Sequence, residues 1–499
     1  MDNIIVITQN VKLESLTLLR DYIKSGSSTL VFSSQLILEN EKPIIEKALD
    51  SICKYVNFSD IMSDAELAGC DEDAYSENQK DMNEYYAEFK RLKNSRAIDK
   101  LLEQYPCNNR LIVCDDLGLD INEWLKKGFV FKQCDYYYSK KEEEVKHNEG
   151  LLASIKQFLK KYFAQLRTPV YESSLDGQKY LFYGSMNRVL YRIGCDFRPA
   201  SKLQSIKDVI VILLYDICGY HTNSKTIRMS TLHECGIRYF PRISSLNLKL
   251  IQDGYLPPNY SSKREIFRSK CIEYYTWDVE GGRNFEYHNL KHCIMPFRKK
   301  LYLPIPNFPQ KVTKVVCVAS GAGDWTAVKN RSDDDKMIVA FGEVAKQFPG
   351  IDFVYRFHPT WVHPTIQGVN SIKRATEYIN WLNLPNMKVS GNIPDPKKNG
   401  SFQLSFNRSS LDEEIKDADI VFGEHSISMI DAAFKKIPFC SVNVTGHRDF
   451  FVGITAMGFP HCESVEEICS FLMKVGTEDF IVEYKKAIEN YNKMTDQED

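Results

Sequence analysis

No two cysteines in this chain are spaced Cys-x-x-Cys, although fourteen are present. They are scattered, and Cys114, Cys218, Cys317 and Cys440 lie inside apolar runs. This argues against a zinc site or a disulfide framework and reads as reduced thiols packing as small hydrophobes. Neither sign of charge is in excess. A net charge of −2 leaves no global field for nucleic acid, and no stacked-aromatic basic motif of the RNA-binding kind occurs. Long apolar runs are also missing: the strongest, 209–214 with its flanks, falls well short of the ~20 residues of a membrane helix. The opening residues lack the basic and apolar regions of a secretory leader. There is no Gly-x-x-x-x-Gly-Lys-[Ser/Thr] loop and no Gly-x-Gly-x-x-Gly turn after the first strand, which counts against an ATPase and a dehydrogenase. The expectation is a soluble, cytoplasmic protein with no nucleic-acid partner.

What is present describes a globular chain. With 499 residues, 43% of them hydrophobic and 26% charged, it exceeds one ordinary core and predicts two or more domains. Up to about residue 140, short β-branched or aromatic runs at 3–8, 28–32, 55–58, 110–114 and 128–132 alternate with helical segments. That alternation predicts a parallel sheet with helices on both faces. Residues 71–102 read as a polar, exposed helix. An amphipathic helix is expected over 146–167; its Lys156, Lys160 and Lys161 could touch an anionic membrane surface, and packing on its own domain is the plainer reading. Between 168 and 300 only strands at 209–214 and 180–183 are legible, in a stretch rich in Tyr, Arg, His and Ser.

Pro304, Pro306 and Pro309 then interrupt regular structure and mark a linker. Beyond it the pattern restarts, with strands at 314–319, 352–357, 387–390, 420–422 and 439–442. Helices are expected near 333–347, 369–384, 410–416, 426–436, 464–475 and 479–493. The predicted fold is α/β, two doubly wound Rossmann-like domains facing a central cleft. Residues 1–302 would form the N-terminal acceptor domain with the catalytic carboxylate, and 303–313 the linker. Residues 314–478 would form the donor domain, and 479–499 a C-terminal helix returning toward the first domain.

Four loops of the second domain follow strand carboxyl ends, where open α/β sheets bind ligands. Ser320, Gly321, Gly323 and Trp325 lie in the first, whose glycines permit close backbone approach to an oxyanion. Arg356, His358 and Pro359 form the second; the histidine is either structural or aimed at a ligand. Ser390 opens the third, with Asn392 and Asp395 placed to line a base or ribose. The fourth carries Glu424, His425, Ser426 and Ser428 between a strand and a helix start, serving either as an anion grip or as plain N-caps. In the first domain Asp115 and Asp116 end a buried strand before Gly118. Paired carboxylates repel, which raises one pKa and suits a general base, while a helix cap is the alternative for Asp116. Asp216 and Glu234 are rival bases or nucleophiles. Nothing near Asp115 completes an octahedral metal site.

In combination, Asp115-Asp116 with Gly118, His358-Pro359 and Ser426/Ser428 resemble the motifs of bacterial GT-B glycosyltransferases that use CMP-activated sugar acids. These are the sialyltransferases, polysialyltransferases and Kdo transferases. Leu117 and Ile427 interrupt two of the motifs. The resemblance implies a metal-independent enzyme without cofactor that moves sialic acid, Kdo or a relative onto a glycan or lipid-linked acceptor of capsule or lipopolysaccharide. In that family the His-Pro histidine assists the departing phosphate and the acidic motif deprotonates the acceptor, roles carried here to His358 and to Asp115, with Asp116 second. Arg356, Trp325 and the loop residues above would hold the donor, and contact with the inner membrane surface stays open. The alternatives are a retaining Kdo-type enzyme with an Asp nucleophile, a UDP-sugar GT-B transferase, and a two-domain binding protein without turnover.

Overall fold

The computed structural model describes residues 1–7, 11–33, 36–77, 82–113, 120–135, 170–175, 178–183, 190–191, 196–208, 210, 227–231, 248–251, 273–276, 292–294, 300–302, 308–319, 331–358, 366–391, 410–423, 428–444, 455 and 457–495. Their strands form three sheets.

The first sheet contains β1 (Asn3–Ile7), β2 (Ser28–Ser33), β3 (Ile52–Asn57), β4 (Asn109–Val113) and β5 (Val130–Phe131), in the order β3-β2-β1-β4-β5. Every neighbouring pair is parallel. β1 is buried along its whole length, as a run of Ile and Val covered on both faces must be. Its side chains alternate between two cores. Ile4 and Val6 pack with Phe32, Ile112 and Trp124, whereas Ile5 and Ile7 pack with Leu19, Ile45 and Val113. A 3-10 helix (Leu13–Tyr22) and α1 (Lys42–Leu49) cover the second face. The first face is covered by α2 (Phe58–Ile61), α3 (Asp64–Glu77), α4 (Met82–Gln104) and α5 (Ile121–Lys126). The polar stretch expected as one exposed helix is therefore a helix pair. It places Cys70, Ala74, Phe89, Ala97, Ile98 and Leu101 in the core.

The last sheet contains β13 (Lys314–Val318), β14 (Asp352–Arg356), β15 (Met387–Ser390), β16 (Ile420–Gly423), β17 (Phe439–Val442) and β18 (His461–Cys462). The order is β15-β14-β13-β16-β17-β18, again all parallel. Between the strands run α6 (Arg331–Gln347), α7 (Ile366–Leu382), α8 (Leu411–Ile415) and α9 (Ser428–Phe434), and after β18 follow α10 (Val465–Lys474) and α11 (Glu478–Thr495). In both parallel sheets the order reverses beside the first strand, between β1 and β4 and between β13 and β16. This is the doubly wound, Rossmann-like arrangement expected from the alternation. β18 is two residues long and left no readable pattern.

The middle sheet comprises β6 (Val170–Leu175), β7 (Gln178–Tyr183), β8 (Phe197–Pro199), β9 (Ile227–Thr231), β10 (Leu248–Ile251), β11 (Glu273–Thr276) and β12 (His292–Ile294). β6 pairs antiparallel with β7 and β8, and β7, β9, β10, β11 and β12 run parallel. The strand expected at 209–214 differs where it is described. Ile210 is helical beside a helix over 202–208, and the rest of the run lies outside the described residues. A short β-branched run does not distinguish strand from helix by periodicity. Tyr180, Phe182, Leu190, Ile227 and Met229 of this middle region share one core with the last sheet.

Two contacts tie distant segments together. Asn492 on α11 exchanges hydrogen bonds with the backbone of Leu301, each 2.8 Å, while Phe308 packs edge-on against Phe480 and Tyr484. The segments on both sides of residues 303–307 are thus held by the C-terminal helix. The second contact joins the first and last sheets. Arg374 on α7 donates to Glu41, to Asp335 on α6 and to the Leu36 carbonyl, at 2.6–2.8 Å. Leu36 and Glu41 lie in the connection that leaves the carboxyl end of β2, so that connection is docked on the helices that follow β13 and β14.

Candidate functional site

The carboxyl edge of the last sheet ends in one continuous rung. Ser390 pairs with Arg356, Arg356 with Val318, Val318 with Gly423, Gly423 with Ser441 and Ser441 with His461. Partners in a parallel ladder stand on the same face, ~4.8 Å apart. Four polar side chains therefore share one face and one level, with Val318 and Gly423 at the switch point between the two pairs.

On one side of the switch, Arg356 is buried and its Nη1 lies 3.8 Å from Oε2 of Glu414, itself buried on α8. Its neighbour Ser390 is fully buried, and its Oγ has no hydrogen-bond partner. The ladder continues one step past this rung, because the Phe357 amide donates to the Ser390 carbonyl at 3.0 Å. His358 is the next residue and is partly exposed. On the other side, Ser441 Oγ is 2.6 Å from His461 Nδ1, and His461 Nε2 is 3.5 Å from the Glu463 carboxylate.

At the switch itself Gly423 is the last residue of β16. A Cβ there would sit 2.6 Å from Met429 Cγ and 3.1 Å from Val318 Cγ2. The missing side chain lets the first turn of α9 press onto β13 and β16. The described part of the helix runs Ser428–Phe434; the expected start at 426 lies outside the described residues.

Of the residues expected at the site, Arg356, His358 and Ser428 are described, and all three lie at this edge. Ser320, Gly321, Gly323, Trp325, Pro359, Asn392, Asp395, Glu424, His425 and Ser426 lie outside the described residues, as do Asp115, Asp116, Asp216 and Glu234. Topology still constrains several of them. Asp115 and Asp116 follow Val113, whose partner Ile7 ends the other strand at the first sheet's switch point. Glu424 directly follows the end of β16, and Ser320 stands two residues past the end of β13 in the sequence.

Sequence reading missed Glu414, Ser441 and His461. Ser441 left one signal, a hydroxyl in the otherwise apolar strand Phe-Cys-Ser-Val. Among the described residues no group of three or more His, Cys, Asp or Glu side chains stands where it could hold a metal ion. The eight described cysteines are free thiols. No helix of the described residues is long and apolar enough to cross a membrane.

No protein-family model matches the chain, and no curated protein does. Solved structures resemble it only distantly. A UDP-forming α,α-trehalose-phosphate synthase from Burkholderia xenovorans is 8% identical over 65% of this chain and 86% of that one, with a TM-score of 0.37. A variant of S. aureus TarM in complex with Fondaparinux, α-GlcNAc-glycerol and UDP is 11% identical over 99% and 96%, with a TM-score of 0.36. The GtfA/B complex is 8% identical with a TM-score of 0.32; the match covers 64% of this chain and spans 62% of that chain's length. Likenesses this remote name neither an activity nor a donor for this chain.

Proposed function

We propose that the chain is a GT-B glycosyltransferase that moves a sugar from a nucleotide-activated donor to a glycan or lipid-linked acceptor. The donor we propose is a CMP-activated 2-keto sugar acid of the sialic acid or Kdo type. One observation carries the reading. The edge rung beside the switch point presents Arg356 and an orphaned, buried Ser390 hydroxyl, with His358 leaving the same strand. An unpaired buried hydroxyl costs about 1–3 kcal/mol, which marks a place where a further polar group belongs. A doubly wound sheet takes its ligand at this edge.

In this reading the acceptor hydroxyl attacks the anomeric carbon as the bond from that carbon to the phosphate oxygen breaks. Asp115 takes the acceptor proton, with Asp116 second, and His358 hydrogen-bonds or protonates the phosphate of departing CMP. Arg356 supplies positive charge, tempered by Glu414. Ser320, Gly321, Gly323, Trp325, Pro359, Asn392, Asp395, Glu424, His425, Ser426 and Ser428 would complete the donor site. A single phosphate spreads less charge than a diphosphate, so protein donors can stabilise it without a divalent ion. Synthesis of surface polysaccharide on the cytoplasmic side fits such a donor.

The test is nucleotide release during incubation with CMP-sialic acid, CMP-Kdo and a UDP-sugar, each with and without glycan acceptors. CMP release from a sugar-acid donor is expected. Release from the UDP-sugar alone would keep the transferase and overturn the donor. Ligand binding without turnover from any donor would favour a binding protein.

A further inference from the structure

The helix over 202–208, with helical Ile210 beyond it, is turned inside out. Its Asp208 is buried and Gln204 and Ser205 are half-buried, while Leu203, Ile206 and Ile210 are exposed. Those three keep 63%, 45% and 48% of their surface exposed. Their spacing, three and four residues apart, puts them along one ridge of a helix. Lys202 and Lys207 are exposed beside them, and Asp208, the one acidic residue in the segment, is withdrawn from that side. Soluble helices normally show the reverse pattern, so an outward aliphatic ridge calls for a partner.

We infer that this ridge docks on an anionic lipid surface. Two observations select that occupant. Among the described residues of the segment, the outward side combines aliphatic tips with two lysines and no carboxylate, the complement of an apolar interior under negative headgroups. Area argues against a second copy of the chain: three half-exposed aliphatic side chains offer on the order of 300 Å², well below the ~800 Å² per partner of a stable interface. The two lysines hold the ridge at the level of the headgroups, so the segment lies on the surface. The inference is independent of the donor and of the residues proposed for catalysis.

Co-sedimentation of the full chain with vesicles tests it, using phosphatidylcholine alone and an equal mixture with phosphatidylglycerol. Binding to the anionic vesicles and not to the neutral ones is expected, weakening as salt rises. Leu203→Ser/Ile206→Ser/Ile210→Ser and, separately, Lys202→Glu/Lys207→Glu should each lower the vesicle partition coefficient on the order of tenfold or more. Circular dichroism checks that both variants fold. The salt titration of the unaltered chain tests the inference even where a variant does not. No binding to anionic vesicles, or binding that ignores both salt and the triple substitution, overturns it. So does light scattering that shows a dimer which the triple substitution dissolves, without vesicle binding.

Discussion

Arg374 and Glu41, separated by 333 positions in the chain, meet in a two-pronged ion pair, Nε to Oε1 at 2.6 Å and Nη2 to Oε2 at 2.7 Å. Asp335 accepts from the same guanidinium at 2.8 Å, and all three side chains are buried. Burial weighs against the charged guanidinium, and the carboxylates of Asp335 and Glu41 outweigh it, raising the arginine above its ordinary pKa. Removing one partner of a buried pair strands the others, typically at about 3–5 kcal/mol. Arg374→Met should therefore destabilise the chain by that order in urea unfolding. It should also loosen the joint between the first and last sheets, read as faster amide exchange around Leu36. Glu41→Gln, which keeps a hydrogen-bonding side chain, should cost less.

Gly423 is a packing glycine at the switch point. Gly423→Ala must displace Met429 or Val318, and forcing a methyl into a packed core costs about 1–3 kcal/mol. The double variant Gly423→Ala/Met429→Ala vacates the space beside the new methyl. Its cost should fall short of the sum of the two single costs by more than experimental error in a double-mutant cycle. Simple additivity would show that the contact is relieved elsewhere.

Two glycines with nearly the same backbone separate strain from collision. Gly476 has φ +87° and a Cβ there would lie 2.7 Å from the Pro309 carbonyl oxygen; Gly458 has φ +88° and nothing within 4 Å. A left-handed conformation alone costs a side chain on the order of 1 kcal/mol. Gly476→Ala should lower the melting temperature clearly more than Gly458→Ala, because it also pushes the end of the linker off the α10–α11 turn.

Acid should unfold the chain in part through Glu66. A side-chain hydrogen bond from Lys100, the Ser63 amide and the Ser63 hydroxyl hold its carboxyl at about 2 against an ordinary 4.5. A depressed folded pKa stabilises above the unfolded value, so this contribution is intact above pH 4.5 and disappears as pH falls toward 2. The melting temperature of Glu66→Gln should lie below that of the parent at neutral pH, and the gap should close across that window.

The proposed chemistry places its heaviest demand on His358. General acid assistance is typically worth ~10²–10⁴-fold, so His358→Ala should cut nucleotide release by that order while donor-induced thermal stabilisation persists. Full activity in this variant would remove His358 from the reaction. Asp115→Asn and Asp116→Asn, compared directly, identify which carboxylate takes the acceptor proton.

The order in which these features became legible follows the range of the forces behind them. Short runs rich in β-branched and aromatic residues define β1, β2, β13, β14, β15, β16 and β17 almost to the residue, because burial on both faces of a parallel strand demands mostly apolar side chains. Strand alternation with helices likewise predicts two doubly wound sheets, and His358 and Ser428 follow from standing just past strand ends. β18, the middle sheet apart from β7, and the inverted helix at 202–208 had no such local signature. β18 is held by its ladder to β17, and the middle sheet by ladders between segments whose own pattern is ambiguous. Arg374 with Glu41 and Ser441 with His461 were invisible for the same reason. One-dimensional patterning tells a residue which face it must bury, but ladder register and domain docking choose its neighbour. The sequence alone therefore determined most strands of the two parallel sheets and which loops follow their carboxyl ends. Only the tertiary structure decided that Ser390, Arg356, Ser441 and His461 share a rung at that edge, because that pairing depends on five crossovers closing in register.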